Sequence, residues 1–125
     1  MIEQKITIRT PSCVKSGLID NEQAIAIEEH FTRLYNVFLN QSQDTAFTLR
    51  DVMGGNNRDW SKSPMQIVYE KYLREYNDEK IAYKRSARDA GWFLMLAVHN
   101  DSRKFTFEHN DHNGRKVRAY RLITE

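Results

Sequence analysis

The sequence predicts an α+β fold, and three observations carry that reading. Residues 86–100, SARDAGWFLMLAVHN, are the most apolar run of the chain. In them Ala87, Ala90, Gly91, Leu94 and Val98 recur at i, i+3, i+4 spacing, which places them on one helical face. Ala24, Ile27, Phe31, Leu34, Tyr35 and Phe38 repeat the same period earlier in the chain. Residues 105–123 instead alternate apolar and polar around Asn113-Gly114, the pattern of two strands joined by a tight turn. At 125 residues, with 40% hydrophobic residues, 5 Gly and 2 Pro, the chain is a single domain (1–125) able to build a core without crosslinks.

Taken in order, Lys5 to Thr10 alternates β-branched and polar residues and predicts a strand over 5–10 with Ile6 and Ile8 inward. Pro11-Ser12 ends it, Ser16-Gly17 marks a bend, and Leu18-Ile19 anchors the following loop. Asp20 or Asn21 caps an amphipathic helix of about 18 residues. Phe31, Leu34, Tyr35 and Phe38 are expected to pack on the 86–100 helix. After the polar stretch 40–44, Thr45 to Leu49 reads as a short strand. Thr48 with Asp51 three residues on is the signature of a capped helical turn. Gly54-Gly55-Asn56-Asn57 breaks the chain, and without a following Gly-Lys-Ser/Thr it is read as a turn and not a phosphate loop. Ser63-Pro64 starts a helix that carries Met65, Val68, Tyr69, Tyr72, Leu73 and Tyr76 at helical spacing. Its aromatics, with Trp60, are read as core-edge packing.

Asn77-Asp78 ends that helix and can cap the next. Glu79–Lys84 is read as a short helical piece. Ser86, with Asp89 three residues later, is read as a capping box that starts the long helix. A short helix, a turn of about three residues and a longer helix make a helix-turn-helix pattern. The helical core is thus expected over 21–100 and a hairpin over 104–123, with a five-residue turn from Asn110 to Gly114.

Little in the chain suggests catalysis. Cys13 is the single cysteine, so neither an internal disulfide nor a cysteine-based zinc site is available. With no activating pattern around it, it reads as a bystander thiol in a reducing compartment. His99-Asn100-Asp101 and His109-Asn110-Asp111-His112 hold residue types that ligate metals, but they fall where turns are expected. No catalytic motif is recognisable. The expectation is therefore a non-enzyme without catalytic residues, metal or cofactor. No run approaches the length of a membrane span and no apolar leader opens the chain, which predicts a cytoplasmic protein that does not contact membranes.

Charge carries more information. Of 19 basic and 17 acidic residues, 9 and 5 fall in 84–125, net +4, while 1–83 holds 10 and 12, net −2. Lys84, Arg85 and Arg88 gather at the expected start of the long helix. Arg103 and Lys104 open the hairpin, and Arg115, Lys116 and Arg118 lie on its return strand. Such clusters neutralise phosphates. Against base reading, the outer face of the long helix is expected to hold Arg85, Arg88, Asp89, Trp92, Met95 and His99, of which Trp92 and Met95 make no bidentate contacts with bases.

The order strand, long helix, short strand, helices and C-terminal hairpin, with the Ser86 helix and the Asn113-Gly114 hairpin, resembles the winged helix-turn-helix superfamily over residues 21–123. The resemblance is one of architecture. It implies DNA binding, usually by a homodimer, with the phosphate backbone met by Lys84, Arg85, Arg88, Arg103, Lys104, Arg115, Lys116 and Arg118. A regulator or replication accessory protein is the leading expectation. The alternative is a protein–protein interaction module or inhibitor on the same scaffold, of the kind phages and mobile elements encode, with a contact patch around Trp92, Trp60 or the first long helix.

Overall fold

The computed structural model of the protein describes residues 10–41, 46–53, 63–112 and 115–123, with side chains described everywhere in these except at 109–117. Residues 5–9 of the expected strand, the Gly54–Asn57 turn and Trp60 lie outside the described residues. Within them the chain is mixed helix and sheet. The elements are α1 (Ser12–Lys15), α2 (Asn21–Gln41), β1 (Ala46–Thr48), α3 (Leu49–Val52), α4 (Met65–Tyr76), α5 (Glu79–Asn100), β2 (Phe105–His112) and β3 (Arg115–Leu122).

The helix starts follow from local side-chain chemistry. Asp20 Oδ1 accepts the Gln23 N–H at 2.8 Å while Gln23 Oε1 accepts the Asp20 N–H at 3.0 Å, a reciprocal cap that starts α2. Thr48 and Asp51 make the same exchange and start α3, as their spacing predicts. Ser63 Oγ accepts the Met65 N–H at the start of α4. That helix stops at Asn77, whose left-handed φ of 50° turns its N–H back to the Leu73 carbonyl.

The long helix departs from expectation. Asp78 Oδ1 accepts the Lys80 and Ile81 N–H groups and starts α5 at Glu79. Nothing between Glu79 and Asn100 breaks the helix, so the two expected pieces are one helix of 22 residues, about 33 Å long. Ser86 and Asp89 do not cap it. Both are fully buried in its middle. Only two residues, Asn77 and Asp78, separate α4 from α5, and those helices pack together.

Along α2, Ile27, Phe31 and Tyr35 recur every four residues and are 0–1% exposed. They pack toward α5, which buries Ala90, Phe93, Leu94 and Ala97. Each fully buried large side chain contributes roughly 1.5–3 kcal/mol. Leu34 and Phe38 join this core only in part. On the other flank α4 buries Met65, Val68 and Tyr72, with Tyr69 packed at the edge.

The sheet has the order β1-β3-β2 and is antiparallel throughout. Its register sets Tyr120 opposite both Phe47 and Phe107, and Leu122 opposite Phe105, so these residues share one face. Phe47 stacks on Tyr35 at 4.9 Å between centroids, Phe105 meets both rings edge-on, and Tyr120 lies 5.9 Å from Phe47. Tyr120 faces the aromatic core while Ala119, on the opposite face, is also buried. The hairpin is tighter than its sequence suggests. His112 pairs with Arg115, leaving two residues between the strands in place of the expected five-residue turn.

The loop expected after Pro11 holds a single helical turn, α1. Its Ser12 N–H donates to Asp89 Oδ1 across 77 residues at 2.9 Å. Gly17, at φ +79°, turns the chain, and the Ile19 N–H returns to the Cys13 carbonyl. Ile19 is 4% exposed, as an anchor should be. Lys71 on α4 donates to the Leu18 carbonyl at 2.8 Å, holding this segment down.

Candidate nucleic-acid interface

Correcting the start of α5 changes which of its residues face outward. Lys84, Arg85 and Arg88 are not the opening of a helix; they lie in its second and third turns. All three are exposed, as are Lys80 and Ile81 before them. Positions 81, 84, 85 and 88 stand at i, i+3, i+4, i+7 and so form one exposed face. Arg85 is not loose on it, because its guanidinium carbon sits 4.6 Å from the centroid of the Tyr76 ring, a cation–π contact that limits its rotamers.

Of the expected outer face, Arg85, Arg88 and His99 are exposed, whereas Asp89, Trp92 and Met95 are not. Met95 and Asp89 are fully buried and Trp92 is half-buried against the core. The objection that this helix presents Trp92 and Met95 to a groove therefore does not apply. The exposed polar face belongs to the N-terminal half of α5, two turns of which precede residue 86.

The hairpin contributes through β3. Arg118 is half-buried. Its Nη1 lies 3.3 Å from Met95 Sδ, and its guanidinium carbon is 5.3 Å from the centre of the Phe107 ring. Arg88 and Met95 are seven residues apart, so they share a helical face about 10 Å apart along the axis. The packing therefore brings Arg118 of the hairpin to the face that carries Arg88. Register places Lys116 opposite Asp111 and Arg115 opposite His112, at the far end of the hairpin.

The remaining two predicted cations differ from each other. Lys104 is exposed at the head of β2, where its carbonyl accepts the Ile123 N–H. Arg103 is committed to partners within the protein, although 40% of its side chain is exposed. Its Nη2 reaches Asp101 Oδ2 at 2.8 Å and Asn36 Oδ1 at 2.6 Å, and its Nε reaches Asp101 Oδ1 at 3.1 Å. Tyr35 completes the cluster by donating to Asp101 Oδ2 at 2.6 Å. Arg103 thus joins the end of α5 to α2 and stands apart from the Lys84–Arg88 face.

This cluster sets a pH dependence. Burial on its own opposes ionisation of Asp101, but the Arg103 guanidinium, the Tyr35 hydroxyl and the Arg103 backbone N–H overcome it and hold the carboxyl well below the usual carboxylate range. A depressed folded-state pKa adds stability that is complete above the unfolded value of about 3.8 and is lost as pH falls below it. Thermal melts between pH 6 and pH 2 should therefore show a shallower acid limb for Asp101→Asn than for the native chain. An unchanged acid limb would remove Asp101 from the acid response.

Of the two His/Asp strings, His99 is exposed, Asn100 Nδ2 donates to Glu28 Oε1 at 2.6 Å, and Asp101 is engaged as above. Among the described residues no group of three or more His, Cys, Asp or Glu is arranged to hold a metal ion. No helix of the described residues is long and apolar enough to cross a membrane.

Sequence reasoning singled out Lys84, Arg85 and Arg88, which are exposed on α5, but not Lys80 and Ile81, which share that exposed surface. The signal for them was Asp78 itself, a helix-capping residue followed by an unbroken run of helix-forming residues. No protein-family model, curated protein or solved structure matches this chain.

Proposed function

We propose that the protein binds duplex DNA as a winged-helix-like module. The exposed face of α5 at Ile81, Lys84, Arg85 and Arg88 meets the duplex, and the β2–β3 hairpin lies against the phosphate backbone. The observation that carries this reading is the exposed basic face in the N-terminal half of α5, with Arg118 of the hairpin packed two turns further along the same side. The element order α2, β1, α4, α5, β2, β3 and the sheet order β1-β3-β2 support it, because a long helix followed by a hairpin is how that architecture presents helix and wing together. Lys and Arg on such a face neutralise phosphates and release counterions, and Arg is the side chain best suited to guanine.

The test is a fluorescence titration of a labelled random-sequence duplex at low and moderate salt. Binding in the micromolar range is expected, with log affinity falling linearly against log salt by about one unit per phosphate contacted. Absence of binding at low salt would overturn the reading for duplex DNA.

A further inference from the structure

Apart from the basic half of α5, the molecule carries a groove of opposite charge. It runs along α2 and is walled by the C-terminal half of α5. Two depressions of about 500 Å³ and about 270 Å³ make it up, and they share Ile25 and Glu28 as a common wall. From Asn21 to Asn36 it follows α2 for about 22 Å. Its floor is apolar, formed in part by Phe93, Leu96 and Ala97. Ile25 stands at its middle with 55% of its surface exposed, the most exposed large hydrophobic residue among those described. Its rim is acidic. Glu28 and Glu29 have no cation within ion-pair distance among the described residues. The lining cation, Arg103, is already bound to Asp101. The walls are held together by Asn100 on Glu28 and Arg103 on Asn36, so the groove exists before anything enters it.

We propose that this groove docks a cationic amphipathic helix of a partner protein. Apolar anchors of such a helix would lie on Ile25 and Leu96, and its Lys or Arg side chains would meet Glu28 and Glu29. The charge decides the class of partner. Nucleic acid is repelled by this rim, whereas a basic helix gains attraction along the whole rim and buries its apolar stripe on the floor. The length fits, since about 22 Å accepts a helix of roughly fifteen residues. This docking surface does not depend on the DNA reading, because it uses the opposite charge and a different stretch of α5.

The experiment titrates a fluorescein-labelled synthetic helix built from leucine and lysine in an amphipathic pattern, with a counterpart carrying glutamate for every lysine. Backbone NMR shifts map the contact. The lysine peptide is expected to bind in the micromolar range, to move resonances within 21–36 and 93–103, and to lose about tenfold or more in affinity on Glu28→Lys/Glu29→Lys and on Ile25→Ser. The glutamate peptide is expected not to bind. Thermal melts of both variants verify folding, and Glu29→Lys alone, at an exposed residue, provides a readout if the other changes loosen the groove; undiminished binding by that variant overturns the charge argument. No binding, undiminished binding by the charge-reversal variant, or shifts confined to other surfaces would each overturn the proposal. Concentration-dependent self-association in sedimentation, abolished by Glu28→Lys/Glu29→Lys, would assign the groove to a second copy of the chain and overturn it as well.

Discussion

Asp89→Ala is expected to cost about 2–4 kcal/mol of folding stability, roughly 1–3 for the buried Tyr72 hydroxyl left without an acceptor and about 1 for the part-buried Ser12 N–H donor. Those donors are the Ser12 N–H on Oδ1 at 2.9 Å and the Tyr72 hydroxyl on Oδ2 at 2.5 Å. Asp89 and Tyr72 are both buried, so water does not replace the acceptor that the Tyr72 hydroxyl loses, whereas Ser12 is exposed. Against a typical total of about 5–15 kcal/mol, the loss is large enough to leave the chain partly unfolded. Tyr72→Phe removes one donor and keeps the carboxylate, so about 1–2 kcal/mol is expected. Asp89→Asn should fall between the two, because its carbonyl oxygen still accepts from Ser12. Urea denaturation checks all three.

Cys13 supplies a second readout of the same cluster. Burial first, and then the negative charge and hydrogen bond of Asp89, push its thiol far above the ordinary range, so it stays protonated and unreactive. Burial and the same carboxylate also push the Tyr72 hydroxyl upward. With Asp89 replaced by Ala, α1 loses its tie to α5, and Cys13 should react faster with a thiol reagent. A variant as stable as the native chain, with Cys13 equally slow to react, would show that the carboxylate does not hold α1 in place.

Lys84→Glu/Arg88→Glu is expected to lower duplex affinity about 100-fold or more near 0.1 M salt, and to reduce the salt slope by about two if each cation meets one phosphate. Both residues are exposed, so stability should stay within about 0.5 kcal/mol. Arg33→Glu, an exposed charge reversal on α2, should change affinity by less than about threefold and marks the effect of net charge alone. If Arg33→Glu weakened binding as much as Lys84→Glu, attraction would be diffuse, and the α5 face would lose its claim to the contact.

The elements that could be read from the chain are those whose causes are local. The 3.6-residue period of Ile27, Phe31 and Tyr35 and the two-residue alternation of Phe105 and Phe107 each report a single buried face. The Thr48–Asp51 cap needs only a three-residue spacing. The basic character of residues 84–125 is likewise a property of the sequence. What the sequence could not decide rests on partners far along the chain. Ser86 and Asp89 carry the signature of a helix start, yet they sit in mid-helix because the carboxylate finds its donors on α1 and α4, 77 and 17 residues away. The inward face of β3 is set by pairing with β1 and β2, which puts Tyr120 against Phe47. Packing also sorts the cations. Asn36 and Asp101 take Arg103 into the fold, Met95 and Phe107 seat Arg118, and Lys84 and Arg88 are left facing water, because each guanidinium or ammonium goes where its nearest acceptors and apolar neighbours happen to fold.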